Sequence, residues 1–153
     1  MNIRNRMNGT GHSAPSNGRG PALVSDRTRP RPLFHSDCIW VEGELVPFED
    51  ATVHLLSPTL HYGVGVVEEI RCYATERGPG VFRLEDHLRR FLQAVRALGV
   101  LDFRWTMADL RRAVAATVLA NSFQSCYIRL VLTFDGGLGL ALDSYEPQLA
   151  VAA

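Results

Sequence analysis

The sequence predicts an α+β fold: one mixed or antiparallel sheet with two amphipathic helices on one face. Two observations carry this. The apolar pattern runs in the order hairpin, strand, two helices, strands, and a chain of 153 residues is one ordinary domain with room for its own core. An apolar share of 46% and a charged share of 21% are globular values. No internal repeat is present.

The first 37 residues stand apart. Arg4, Arg6, Arg19, Arg27, Arg29 and Arg31 face only Asp26 and Asp37, among many Gly, Pro, Ser and Asn. Apolar residues there are too sparse to offset chain entropy, so residues 1–37 are expected to be a disordered basic tail. A solvated extension is the simplest reading. A nucleic-acid arm or a transit-type leader are the alternatives.

The ordered domain is expected over residues 38–153. Cys38–Val41 and Leu45–Pro47 flank Glu42-Gly43, the pattern of a β-hairpin whose turn needs positive φ. Residues 49–56 read as an extended connector and a short strand. Ser57-Pro58 is a helix start, with Ser as N-cap and Pro at the first helical position. That helix ends at Tyr62, where Gly63 is placed for a left-handed cap. Val64–Thr75 is a β-branched strand, residues 76–80 a turn, and Val81–Arg83 a short returning strand.

Leu84, Leu88, Phe91, Leu92, Val95 and Leu98 fall at helical spacing, with Glu85 and Asp86 in the first turn and Gly99 past the end. Thr106 with Asp109 forms a capping box that opens the second helix, lined by Leu110, Val114 and Val118 and ended at Asn121 or Ser122. Tyr127–Phe134 is a strand. Residues 135–139 are a glycine-rich loop, and residues 148–153 begin a last strand.

Net charge is zero, which argues against nucleic acid or an anionic membrane as partner. No apolar run reaches the roughly 18 residues of a membrane span, and the N-terminus lacks a signal peptide's apolar core. The 3 cysteines, Cys38, Cys72 and Cys126, lack C-x-x-C spacing and suit free thiols in a reducing compartment. A cytoplasmic location is expected. His61 and His87 have no metal-ligand spacing and read as capping or packing residues. Glu68 reads as an ion-pair partner, with Arg71 near.

A longer set of motifs carries a resemblance. Ile39-Trp40 with Gly43-Glu44, residues 46–51, His61-Tyr62-Gly63 and Glu68 with Ile70-Arg71-Cys72-Tyr73 come in order. Phe82-Arg83-Leu84 with His87 and Arg90, Tyr127-Ile128-Arg129, and Gly137-Leu138-Gly139 follow. Together they resemble the N-terminal small domain of branched-chain amino-acid aminotransferases, fold-type IV enzymes dependent on pyridoxal 5′-phosphate (PLP). D-amino-acid aminotransferases and aminodeoxychorismate lyases are the related alternatives.

The resemblance implies amino transfer between Leu, Ile or Val and 2-oxoglutarate, with a homodimer as the complete enzyme. It implies that Arg90 binds the cofactor phosphate, a role a guanidinium fork suits; from spacing alone Arg90 is a solvated surface arginine. It implies substrate contacts at Tyr62, Val67, Glu69, Tyr127, Arg129, Gly139 and Leu140. From the residues alone, the tyrosines read as packed rings with wet hydroxyls and Arg129 as an edge arginine or one needing a partner.

This chain departs from the family pattern at three points. Val67 stands where many members have Phe, which widens the pocket. Glu69 replaces a glycine at a tight, substrate-facing position, where a carboxylate left buried and unpaired is costly and would repel a substrate carboxylate, so either the strand is shifted locally or the pocket is compromised. Finally, all 16 basic residues are arginine and the sequence contains no lysine. The family's Schiff-base lysine lies in its C-terminal large domain, and arginine cannot replace it because it stays protonated. The expectation is therefore an N-terminal fragment without a catalytic residue, inactive alone and unable to hold PLP covalently. A non-catalytic partner-binding or weak PLP-binding domain is the competing expectation.

Overall fold

The computed structural model describes residues 36–136 and 145–153. Its elements run β1 (Cys38–Val41), β2 (Glu44–Pro47), α1 (Pro58–Tyr62), β3 (Val66–Thr75), β4 (Gly78–Val81), α2 (Leu84–Ala97), α3 (Met107–Ala120), β5 (Cys126–Asp135) and β6 (Glu146–Ala152). They form a 6-stranded sheet in the order β2-β1-β6-β5-β3-β4. Every described strand pair is antiparallel. The expected α+β architecture is thus present, in its antiparallel form. The tail at residues 1–35 and the loop at residues 137–144 lie outside the described residues.

The β1–β2 hairpin turns at Glu42 (φ 50°) and Gly43 (φ 108°). Two successive positive φ values match the right-handed twist of the flanking strands. Ser57 accepts from the Leu60 amide at 3.3 Å, and Gly63 closes α1 in the left-handed region, donating to the Thr59 carbonyl at 3.1 Å. Both ends of this short helix are therefore fixed by the residues that the sequence offered for it. Residues 49–56 do not form the expected strand. Val53, Leu55 and Leu56 point to solvent, so their apolar pattern has no core face to fill. β4 begins at Gly78 rather than Val81. It is the edge strand, where Pro79 removes no ladder bond that a neighbour requires.

One face of the sheet carries the core. Trp40, Val66, Ile70, Cys72, Ile128, Leu130, Leu132, Leu149 and Val151 are buried there. Alternation along β3 and β5 puts them on one side, and the register sets Ile70 opposite Ile128 and Leu130 opposite Val151. Helix α2 lies on β3, and α3 crosses β1, β5 and β6. Their buried stripes, Leu88, Phe91 and Val95 on α2 and Leu110, Ala113, Val114 and Val118 on α3, close the core. Each large side chain so buried contributes about 1.5–3 kcal/mol relative to exposure.

Helix α3 starts at a complete capping box: the Asp109 amide donates to Thr106 Oγ1 (3.2 Å) and the Thr106 amide to Asp109 Oδ2 (2.8 Å). It ends at buried Asn121. That side chain accepts from the amides of Asp37 (2.7 Å) and Cys38 (3.1 Å) and donates to the carbonyls of Cys38 (3.0 Å) and Thr117 (2.8 Å). One amide group thus ties the helix end to the start of β1. The opposite face of the sheet is open, with Val67, Glu69, Arg71, Tyr73 and Tyr127 exposed along β3 and β5.

Candidate active site

Strand alternation decides which polar groups of β3 meet. Glu68 falls on the core side between Val66 and Ile70 and is only 4% exposed. A carboxylate there needs donors. Helix α2 supplies them from two positions three apart, on one face of the helix. His87 Nδ1 lies 2.6 Å from Glu68 Oε1, and Arg90 Nε donates to Glu68 Oε2 at 2.8 Å while Arg90 Nη2 pairs with Oε1. Burial alone would raise the Glu68 carboxyl, but the bonds and charges of Arg90 and His87 outweigh it and hold the group below its ordinary value. Arg71, expected beside Glu68, is on the other face. Its guanidinium lies 4.4 Å from the Tyr127 ring centre and 5.7 Å from that of Tyr73.

Arg90 reaches outward from this cluster, with its side chain 66% exposed. Two of a guanidinium's five N–H donors are committed to Glu68, and Arg90 also lines a concave surface with Phe82, Arg83, Asp86 and His87. Asp86 is the one acid in that lining, and Arg83 (2.8 Å) and Arg89 (2.8 Å) already pair with it. The surface is cationic on balance and suits a phosphate or carboxylate.

The open face gathers four of the residues expected to contact substrate. Glu69 stands directly opposite Arg129, Val67 opposite Val131, and Tyr127 opposite Arg71. Glu69 does not occupy a buried position, and β3 is not shifted: the ladder with β5 is regular from Val66 to Cys72. The Glu69 carboxylate is exposed and pairs with Arg129. That pair also gives Arg129 the partner that its apolar strand demanded. Tyr62 is exposed at the end of α1, its ring 6.3 Å from that of His61. His61 Nε2 lies 3.1 Å from the Leu55 carbonyl, a local role in the connector. Gly139 and Leu140 lie outside the described residues. Arg90 is not brought beside Glu69 and Arg129; it sits on the helix-covered side of β3 and they sit on the open side. Among the described residues, no group of three or more His, Cys, Asp or Glu could hold a metal, and no helix is long and apolar enough to cross a membrane.

No protein-family model matches the chain. Known proteins do. The branched-chain-amino-acid aminotransferase of Pseudomonas aeruginosa is 35% identical over 116 residues, which cover 75% of this chain and 38% of that protein. A branched-chain aminotransferase from Thermoproteus uzoniensis, solved with norvaline, superposes with a TM-score of 0.71 at 39% identity, over 77% of this chain and 40% of the other. The Thermobaculum terrenum enzyme, solved in its PLP form, superposes with a TM-score of 0.67 at 25% identity, over 76% and 39%. The chain is a relative of the branched-chain-amino-acid aminotransferases, matching their N-terminal small domain. It spans about 38% of the length of the Pseudomonas relative. The Glu68–His87–Arg90 group was legible in part: β3 alternation puts Glu68 inside, and His87 and Arg90 share a helix face.

Proposed function

We propose that the chain supplies the small-domain share of a PLP-dependent aminotransferase site, for amino transfer between Leu, Ile or Val and 2-oxoglutarate. The observation that carries this is Arg90. It is held by two bonds to buried Glu68 and lines a concave surface together with Arg83 and His87. A guanidinium fixed in this way is preorganised for a phosphate, because its orientation is set before the ligand arrives. When bound, the cofactor supplies the electron sink for bond breaking at the amino acid's α-carbon. Arg90 binds and orients the phosphate, Glu68 and His87 keep Arg90 in place, and Tyr127 and Arg129 line the open face toward substrate.

The resident amine must come from outside these residues, since the sequence contains no lysine. On this reading the 153-residue chain alone neither attaches PLP covalently nor transfers amino groups. The complete enzyme works as a homodimer in the cytoplasm, with an amino acid and a 2-oxo acid as its small-molecule partners. Mixing the purified chain with PLP and following absorption and amino transfer from leucine or glutamate tests this. No band of lysine-bound cofactor and no transfer are expected; either signal would overturn the reading.

A further inference from the structure

The β3–β5 ladder also sets two thiols against each other. Cys72 pairs directly with Cys126. Both lie on the helix-covered face, Cys72 buried in the core and Cys126 half-buried at its margin. Opposed residues of an antiparallel ladder hold their Cα atoms about 4.5–5.5 Å apart. A disulfide spans about 4.4–6.8 Å between Cα atoms, so no strand has to move far. The ladder also ends at this pair. Two residues on along β3, the Ala74 amide donates to Ser125 Oγ at 2.8 Å and not to a strand carbonyl. The remaining cysteine, Cys38, is on β1, separated from β5 by β6.

We propose that Cys72 and Cys126 are a reversible redox site, a cross-strand dithiol that a small-molecule disulfide of the glutathione type converts to an intramolecular disulfide. Cys126 is the more accessible sulfur and reacts first. Its thiolate attacks one sulfur of the oxidant, the oxidant's S–S bond breaks, and one thiolate leaves. The Cys72 thiolate then attacks the Cys126 sulfur and expels the second thiolate. Two protein thiols are oxidised and one disulfide is reduced to two thiols, which take up the two protons that the cysteines gave up.

Burial, with the facing Cys72 thiol adding to it, pushes the Cys126 thiol up to about 11. Little thiolate exists at neutral pH, so the reaction is slow and quickens about tenfold per pH unit through the range below that value. The site therefore answers sustained oxidation. Its bond would close the segment that holds β4, α2 and α3, and so restrain the helix bearing His87 and Arg90.

The test uses the full 153-residue chain carrying Cys38→Ser, incubated with oxidised glutathione at pH 8 and 9 and read by intact mass and peptide mapping. Expected are a loss of the mass of two hydrogens, a linked Cys72–Cys126 peptide, a melting temperature raised by about 5 °C or more, and full reversal by dithiothreitol. Cys72→Ala should stop at a mixed disulfide on Cys126. If Cys38→Ser does not fold, the unaltered chain is mapped in the same way, with Cys38 expected free. A mixed disulfide that persists while Cys72 stays alkylatable, a link between two chains, or no change at pH 9 overturns the proposal.

Discussion

Glu69 and Arg129 stand directly opposite each other on β3 and β5 and close an ion pair on the open face of the sheet. Arg129 is one of the side chains that the family resemblance assigns to substrate contact, and a substrate carboxylate there would compete with a carboxylate of the chain's own. Both side chains are about half exposed, 47% for Glu69 and 57% for Arg129, so the pair itself is worth about 0–1 kcal/mol. Glu69→Gln should therefore change the urea unfolding free energy by less than about 1 kcal/mol. The same substitution should tighten binding of 2-oxoglutarate to the chain by about threefold or more, read by NMR titration, because Arg129 is released. Unchanged binding would mean that Glu69 does not compete for Arg129.

Glu68 gives the second prediction, a pH dependence. Its carboxyl is held below its ordinary value of 4.5 in the folded chain, through Arg90 and His87 acting against burial. A group whose folded value is depressed contributes stability that is fully present above its unfolded value and is lost as pH falls through the folded one. Glu68→Gln should cost about 1–3 kcal/mol at pH 7, where it removes charge-assisted bonds. The gap between the two proteins should shrink as pH drops below 4.5 toward 3. Urea melts across that range measure it. A gap that widens on acidification would show that the carboxylate is not the stabilising form.

Much of this fold was legible because its local rules agree with its packing. Ser57-Pro58 and Gly63 bound α1, and Thr106 with Asp109 opens α3, each by bonds within a turn of chain. The β3 strand was equally clear, although which face each of Glu68 and Glu69 takes was not read from it. What sequence order could not settle was partner choice. Arg71 is three residues from Glu68 but on the opposite face, while His87 and Arg90 arrive from another element. Residues 49–56 misled for a related reason: Val53, Leu55 and Leu56 look like strand material, yet they pair with no strand and stay exposed. Glu69 was expected to face substrate in a glycine's place; it stands exposed on the open face, where its partner is Arg129.

Asn121 carries a third prediction. It read only as a helix end in the sequence, yet its side chain satisfies four backbone groups, two amides and two carbonyls. Asn121→Ala leaves the amides of Asp37 and Cys38 without this acceptor near the start of β1. The expected loss is about 2–3 kcal/mol, from the bonds of the Asn121 side chain that are lost. Asn121→Asp should recover part of it, since the acceptor oxygen remains while the two donated bonds are lost. Hydrogen exchange should show the Cys38 amide losing protection in Asn121→Ala before the core amides of β5 do. Equal loss everywhere would mean that Asn121 stabilises the fold as a whole and does not fasten β1 in particular.

The Arg90 surface separates phosphate recognition from everything else a cofactor offers. Pyridoxamine 5′-phosphate carries the phosphate and no aldehyde, so it cannot react with a protein amine; pyridoxamine lacks the phosphate. If Arg90 and its neighbours receive the phosphate, the chain should bind the first more tightly than the second, by about tenfold, the scale of one charge-assisted contact. Arg90→Gln should abolish that difference while leaving pyridoxamine binding as it was. Arg90→Lys should keep part of it, because the charge survives but the fork that spans two oxygens does not. Glu68→Gln should also narrow the difference, because Arg90 then loses the carboxylate that fixes its plane. Fluorescence titration of the four proteins with both ligands reads all of this. A phosphate preference untouched in Arg90→Gln would move the anion site away from α2, to Arg83 or beyond, and would break the link between the Glu68 cluster and the cofactor.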